Sequence, residues 1–272
     1  MKKLFALLTA IVALIYPMDF SETELPESAV SSPADEAPSS VVLDGKEYFL
    51  TFEDNFDGDK LDPMKWQLCP EQRRQDLNNY WSNQMTRLDG EGNLVISMTY
   101  DRLNDRFLSG GVRTKGLFEQ AYGYYEIRCK VNTVPGYWTA FWLMNDSVVS
   151  EAEGGIDGTE IDIMETAYCE QGKVQHTLNW DGYGAAHKAL GQVVDAEVYD
   201  GEYHTFALLW KRREYVFFID GKETWRTRGA DARTCEVPLY LKITTETGGW
   251  TGTPDPRDLP DSMVIDYVRV YG

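Results

Sequence analysis

The stretch that decides the fold is "GTEIDIMETAY", residues 158–168, which carries three carboxylates within six residues. Glu160 and Asp162 keep the two-residue period of a β-strand, and Glu165 breaks that period. On a regular strand Glu165 would share the face of the two isoleucines, where an unpaired buried charge is costly. We therefore predict a β-bulge immediately after Ile163, which turns Glu165 back to the face of Glu160 and Asp162.

The spacing of Glu160 and Glu165 fits a pair of catalytic carboxyls. Their Cα atoms lie about 13 Å apart on a strand, and side chains that lean together bring the carboxyls to about 5–6 Å. Retaining glycosidases hold the pair about 5–5.5 Å apart, and inverting ones hold it further apart. Repulsion among the acids also raises at least one pKa, which suits a general acid. From spacing alone, a solvated acidic strand face and a Ca²⁺ site remain open alternatives.

The chain after residue 45 alternates apolar and polar residues in many short segments separated by turn residues, and this pattern is typical of a β-sandwich or barrel. The pair Asp220-Gly221 predicts a type I′ hairpin, because both central residues of that turn need positive φ. The predicted strands are Asn93–Thr99, Gly123–Val131, Trp138–Met144, Glu160–Thr166, Lys173–Trp180, His204–Trp210, Tyr215–Ile219, Leu239–Thr245 and Met263–Tyr271.

The net charge limits the possible partners of the protein, and the N-terminal sequence indicates its location. Acids outnumber bases 44 to 26, a formal charge of −18, which argues against nucleic acid or an anionic membrane as partner. Residues 1–20 have a basic start and a short apolar run, as in a signal peptide or an N-terminal anchor. Residues 21–42 are rich in Ser, Pro, Ala and acids and indicate a linker. We expect one domain over residues 43–272, secreted, periplasmic or on the cell surface, and monomeric.

Aromatic residues form 13% of the chain, more than a sandwich core of this size needs. Trp138 and Trp142 are four residues apart in one predicted strand, so they share a face. A row of flat rings suits a groove for sugars, whose C–H faces stack on aromatic rings. The four cysteines permit disulfides in an exported protein, and burial as small apolar side chains is the alternative.

Several motifs together resemble family 16 of the glycoside hydrolases, the group of laminarinases, agarases and endo-β-galactosidases. They occur in the family's order and span about residues 48–272. The motifs are "FEDNFDGDKLDPMKW" (52–66), "SGGVRTKGLFEQAYGYYEIRCKV" (109–131), "GYWTAFWLM" (136–144), "GTEIDIME" (158–165) and "MVIDYVRVYG" (263–272).

The resemblance implies an all-β jelly-roll sandwich of two curved antiparallel sheets, with a substrate groove across the concave one. It implies retaining hydrolysis of internal β-glycosidic bonds with no cofactor. By position it assigns the nucleophile to Glu160, the acid/base to Glu165 and an assisting acid to Asp162. Further residues are predicted to bind substrate or a structural Ca²⁺: Trp138, Trp142, His176, Asn179 and Trp180 for substrate, and Glu53 and Asp266 for the metal.

Departures from the family pattern leave the substrate open. Thr166-Ala167-Tyr168 follows the acidic motif where glucan-cleaving members usually have Tyr and Gly, and Thr139 stands where the family often has Pro. We expect a polysaccharide substrate, first a β-1,3-glucan, with a galactan or galactose-containing host glycan as the alternative. A non-catalytic lectin-like module and a transglycosylase are further alternatives. The loop at residues 181–184 is predicted at the groove rim, and for His176 a structural role is the favoured alternative to substrate contact.

Overall fold

The structure, a computed structural model, describes residues 36–74 and 78–272. The predicted signal peptide or anchor and residues 21–35 of the predicted linker lie outside the described residues. In the part of the chain that is described, no helix has the length and apolar composition needed to cross a membrane. The first strand begins at Ser40 and buries Val41 and Leu43. The predicted domain boundary at residue 43 is therefore too late, because this strand already belongs to the packed domain.

Two sheets, numbered here by strand in chain order, make up the described domain. The outer sheet contains β1 (Ser40–Leu43), β2 (Lys46–Asp54), β4 (Gln72–Arg74), β5 (Asn79–Trp81), β6 (Thr86–Leu88), β7 (Leu94–Asp101), β8 (Arg106–Ser109), β11 (Gly123–Lys130), β16 (His204–Lys211), β17 (Glu214–Ile219), β18 (Lys222–Arg228) and β20 (Asp261–Tyr271). The cleft sheet contains β3 (Gln67–Leu68), β9 (Gly111–Arg113), β10 (Glu119–Gln120), β12 (Tyr137–Met144), β13 (Thr159–Tyr168), β14 (Lys173–Trp180), β15 (Lys188–Asp195) and β19 (Leu239–Thr247).

The pairing is antiparallel throughout the described residues except between β5 and β8. The cleft sheet runs in the order β15-β14-β13-β12-β19-β9-β3, so the acidic strand β13 lies near its middle. Single 3-10 turns at Asn83–Met85, Asp146–Val149, Cys169–Gln171 and Gly249–Thr251 complete the elements described. The predicted all-β jelly-roll sandwich is confirmed.

The main core lies between the two sheets. Ile161 and Met164 of β13 pack there with side chains from the outer sheet such as Phe206 and Leu208 of β16. The inward faces of both sheets are apolar because residues two apart on a strand share a face. The outward face of the cleft sheet is thereby left free to carry polar groups.

Local turn chemistry agrees with the sequence. Asp220 and Gly221 have φ of 50° and 74° and join β17 to β18, which confirms the predicted type I′ hairpin. All four cysteines are free thiols, and Cys69, Cys129 and Cys235 are buried. Burial of small apolar side chains, the alternative to disulfides, is therefore what the structure shows.

A close backbone contact fixes the start of β13. A Cβ atom on Gly158 would lie 2.5 Å from the Ser147 carbonyl carbon and 2.6 Å from the Val148 nitrogen. These are backbone atoms of the 3-10 turn Asp146–Val149, which cannot move aside as a side chain can. Glycine at this position lets the turn pack directly against the strand that carries the acids.

Gly158→Ala is expected to lower the free energy of unfolding by about 1–3 kcal/mol, because the added methyl overpacks this contact. Thermal unfolding measures the effect. The matched control is Gly229→Ala, where the nearest atom to the new Cβ would be the Arg213 oxygen at 3.8 Å. Equal unfolding temperatures for the two variants would contradict the close-contact explanation.

Candidate active site

The predicted bulge in β13 is confirmed by its register with β12. Phe141 lies opposite Met164, and the next residue, Trp142, lies opposite Asp162, so Ile163 is the extra residue. Ile163 and Met164 are both fully buried, so two successive residues point into the core. The bulge reverses the phase of the strand, and Glu165 emerges on the same face as the two preceding acids.

The three acids open into one cleft on the cleft sheet, with a volume of about 380 Å³. Trp138, Ala140 and Trp142 of β12 form a small apolar cluster in it. The structure thus brings the predicted acids and both predicted β12 tryptophans together. The complete lining is Arg74, Trp138, Ala140, Trp142, Met144, Glu160, Asp162, Glu165, Tyr183, Lys242, Thr244 and Glu246.

Hydrogen bonds hold Glu160 and Asp162 from the β14 side. The Tyr183 hydroxyl donates to Glu160 Oε2 at 2.5 Å. The Asn179 amide donates to Glu160 Oε1 at 3.2 Å and to Asp162 Oδ2 at 2.9 Å. His187 Nε2 lies 3.1 Å from the Asn179 oxygen and orients that amide. Asn179, predicted to bind substrate, therefore lies at the site and fixes two of its acids.

Glu165 has a different environment. Its only hydrogen bond among the described residues comes from the Thr177 hydroxyl, at 3.5 Å. Burial, and after it the charges of Glu160 and Glu246, raise the pKa of Glu165 to about 8. This carboxyl therefore keeps its proton at neutral pH.

Burial also raises the pKa of Glu160, but the Tyr183 hydrogen bond and the Lys242 charge oppose that effect. Asp162 is 6% exposed, and burial followed by the charges of Glu165 and Glu160 raises its pKa well above the usual range. All three acids thus resist ionisation, and of the two glutamates Glu160 receives the stronger support for its charge. The arrangement pairs a proton donor with a carboxylate across one cleft.

Two predicted substrate-binding residues are not in this cleft. The ring of His176 is fully buried, 2.7 Å from the Ile163 oxygen and 2.9 Å from the Thr224 hydroxyl. Burial lowers its pKa to about 4, so it is a neutral core histidine. Trp180 packs against the main core and against Gly155. Both corrections follow from strand alternation: Asn179 faces the cleft, so residues 176 and 180 face inwards.

The predicted Ca²⁺ ligands do not fit a shared cation. Glu53 faces Arg269, whose Nε lies 3.3 Å from its Oε1, and Asp266 is hydrogen-bonded to Arg128. Within residues 36–74 and 78–272, no cluster of three or more acidic, histidine or cysteine side chains could hold a metal ion. An arginine is paired with each carboxylate, which argues against a cation shared by Glu53 and Asp266, and the metal assignment stays a prediction.

The sequence analysis missed four charged or polar cleft residues, namely Arg74, Lys242, Thr244 and Glu246. Lys242, Thr244 and Glu246 alternate in "LKITTET", and this polar alternation in an otherwise buried strand was a readable signal. Tyr183 belongs to the loop predicted at the groove rim, and that placement is confirmed. No comparable signal marks Arg74 in the sequence.

The environment of Glu165 predicts a pH effect on stability. Between pH 4.5 and about 8 this group is protonated in the folded protein and ionised in the unfolded chain. The folded state then binds more protons, so the free energy of unfolding falls as pH rises through this window. Glu165→Gln is expected to remove this decrease in the free energy of unfolding.

At pH 8 we expect Glu165→Gln to be more stable than the wild type by at least about 1.4 kcal/mol, the equivalent of one pKa unit. Near pH 4 the difference is expected to vanish. Urea unfolding at a series of pH values measures both, with the exposed Glu202 substituted by Gln as the control. A stability gain that does not depend on pH would contradict the assigned protonation state.

Comparison with known proteins agrees with this geometry. The sequence profile of Glycosyl hydrolases family 16 matches residues 73–269. Glucan endo-1,3-beta-glucosidase A1 of Niallia circulans is 26% identical over 82% of this chain and 37% of its own length. Keratan-sulfate endo-1,4-beta-galactosidase of Sphingobacterium multivorum is 27% identical over 92% of this chain and 61% of its own length. The chain thus spans less than two thirds of either relative.

Among solved structures, SCLam, a non-specific endo-β-1,3(4)-glucanase from family GH16, superposes with a TM-score of 0.71. It is 26% identical, and the match covers 89% of this chain and 94% of that one. The family profile covers most of this chain and includes the bulged acidic strand. The chain therefore belongs to family 16 of the glycosyl hydrolases.

Proposed function

We propose that this protein is a retaining endo-glycosidase that hydrolyses internal β-glycosidic bonds of a polysaccharide. The observation that carries the proposal is the environment of the acids that the bulge brings to one face. Glu165 is half-buried and protonated at neutral pH, whereas Glu160 accepts hydrogen bonds from Tyr183 and Asn179. Both carboxyls have raised pKa values, but only Glu160 has a short hydrogen bond and a nearby cation that favour its charged form. Glu165 therefore supplies the acid and Glu160 the nucleophile of this reaction.

In the first step Glu165 donates its proton to the oxygen of the leaving sugar while Glu160 attacks the anomeric carbon. The glycosidic bond breaks and a covalent glycosyl-enzyme forms on Glu160. Asp162 shares the Asn179 amide with Glu160 and is a positioning residue for it. Once the charge of Glu160 is consumed, one cause of the high pKa of Glu165 is gone, which prepares that group to act as a base.

In the second step ionised Glu165 takes a proton from a water molecule, whose oxygen attacks the anomeric carbon and releases Glu160. Two displacements on the same carbon give net retention of configuration. The side chains of the cleft suffice for this chemistry, and the proposal needs no cofactor. Trp138 and Trp142 line the cleft, and the small part of each that is exposed, 6% and 8%, can contact the sugar at the cleavage point.

Two polymers are candidates for the substrate. A β-1,3-glucan is supported by the similarity to the glucan endo-1,3-β-glucosidase. A galactan or a galactose-containing glycan is supported by the keratan-sulfate endo-β-galactosidase, whose similarity extends over 92% of this chain. We propose that the enzyme acts outside the cytoplasm, because residues 1–20 have the composition of an export signal or anchor. We also propose that it is a monomer.

Azide rescue tests the two roles. Glu160→Ala and Glu165→Ala are each expected to lose at least about 100-fold in turnover, consistent with the size of acid–base and nucleophilic contributions. With an activated aryl glycoside, azide replaces the missing nucleophile in Glu160→Ala and gives an α-glycosyl azide. In Glu165→Ala, azide attacks the glycosyl-enzyme and gives a β-glycosyl azide. NMR of the products distinguishes the two configurations.

Full activity of Glu160→Ala, or the two azide products in exchanged configurations, would contradict the assignment. The polymer is identified by a screen on laminarin, lichenan, agarose, keratan-type and mucin glycans with chromatography of the products. Binding of a glycan by the wild type without new reducing ends would favour the lectin-like alternative. Products longer than the substrate would indicate transglycosylation.

A further inference from the structure

Lys242 is a buried cation in the cleft without an acidic partner. It is 8% exposed, and among the described residues it has neither a hydrogen bond nor a carboxylate within ion-pair distance. Its ammonium lies 3.7 Å from the centre of the Trp142 ring and 5.1 Å from that of Trp81. Cation–π attraction to two rings holds the charge in place but leaves its N–H groups without acceptors.

The surroundings of Lys242 are also positive. Arg74 stacks on the other ring partner, Trp81, at 3.9 Å and forms two hydrogen bonds to Glu246, of 3.2 and 3.0 Å. Arg113 lies directly opposite Lys242 in the register of β9 and β19, so the two side chains share a face. The Arg113 Nε is buried and has no hydrogen-bond partner in the described part of the chain.

This flank, defined by Arg74, Arg113, Lys242 and Glu246, carries three cations and one carboxylate. Glu246 is already occupied by Arg74, so the charges of Lys242 and Arg113 are not neutralised locally. Such a surplus is unexpected in a chain of formal charge −18. A buried cation without a counter-ion is costly, so its presence calls for an anion when the cleft is filled.

The nearby acids do not act as that anion. Glu160 and Asp162 receive their hydrogen bonds from Tyr183 and Asn179, on the opposite side of β13 from β19. The Lys242 charge acts on them only from a distance. The ammonium therefore remains available to a ligand that enters the cleft.

We propose that the flank of Arg74, Arg113, Lys242 and Glu246 binds an oxyanion substituent, a sulfate ester or a carboxylate, on a sugar next to the cleavage point. The inference rests on the proposed function for the path of the sugar chain and names the class of substrate, an anionic polysaccharide. Lys242 supplies a charge-assisted hydrogen bond to the substituent, and its aromatic neighbours exclude water from it.

Burial also lowers the pKa of Lys242 to about 8. The side chain is charged at neutral pH and loses its proton as pH rises through about 8. Preference for the anionic substrate is therefore expected to weaken above that pH, whereas a positive surface made only of arginines would keep its preference.

The test compares charged and neutral forms of the same polymers: keratan-type glycan with and without its sulfates, and laminarin with and without oxidation of C6 to carboxylate. For the wild type at pH 6.5 we expect kcat/KM to be at least about tenfold higher for the charged form of one polymer, as a charge-assisted contact allows. The keratan-type comparison tests a sulfate as the oxyanion, and the laminarin comparison tests a carboxylate.

In Lys242→Met the charged-to-neutral ratio is expected to fall towards one, and in Lys242→Arg it is expected to persist. The matched control is Lys173→Met, which removes a lysine paired with Asp195 on β15 and should keep the wild-type ratio. Should Lys242→Met fail to fold, the ratio measured for the wild type from pH 6 to pH 9 replaces it, with a decline expected above about pH 8.

Equal kcat/KM for charged and neutral forms, or an unchanged ratio in folded Lys242→Met, would overturn the inference. Calorimetric titration of Glu165→Gln with the same oligosaccharides separates it from the proposed function. Preferential binding of the charged forms that depends on Lys242 would support the flank even where no polymer is cleaved. Cleavage without any charge preference would support the proposed function and overturn the flank.

Discussion

The site depends on one constraint in strand β13: an acid may not enter the core. Ile163 and Met164 are successive residues and both point inwards, which is what a single extra residue in a ladder does. Without that residue the strand would bury the Glu165 side chain among the apolar residues between the sheets. With it, Glu160, Asp162 and Glu165 line one cleft on the outward face. The backbone register therefore decides which face of the strand carries the acids, and a change of side-chain rotamer cannot move an acid to the other face.

Burial of the three acids destabilises the fold and also gives the acids the pKa values that the reaction needs. All three acids have raised pKa values, and burial is the largest cause for each. Hydrogen bonds then stabilise the three carboxylates unequally. Tyr183 and Asn179 donate to Glu160 and Asp162, whereas Glu165 has only the long contact with Thr177. The fold loses stability near neutral pH by holding this cluster, as is common where active sites store unfavourable charge.

The sequence predicts features that depend on strand parity inside one segment. The bulge, the shared face of the acids and the placement of Trp138 and Trp142 all follow from alternation along a single strand. His176 and Trp180 were misplaced because alternation was not applied together with Asn179, which has the opposite parity. A parity check on β14 alone would have excluded both residues from the cleft.

Features that depend on pairing between distant strands could not be predicted. Lys242 meets the cleft because β19 pairs with β12, and Trp142 opposes it from a hundred residues earlier in the chain. Arg269 and Arg128 occupy the carboxylates of Glu53 and Asp266 for the same reason, since β20 pairs with both β2 and β11. Periodicity reports the face of a residue within its strand and says nothing of the neighbour across the ladder.

The bulge must bring Glu160 and Glu165 close enough that the Glu160 carboxylate attacks the anomeric carbon directly. No water molecule then fits between this carboxylate and the sugar. The most direct measurement is the anomeric configuration of the first product, followed by proton NMR as hydrolysis of the identified polymer begins. The account predicts that the new reducing ends appear first as the β-anomer and then mutarotate to the equilibrium mixture. Initial appearance of the α-anomer would show inversion and would contradict it.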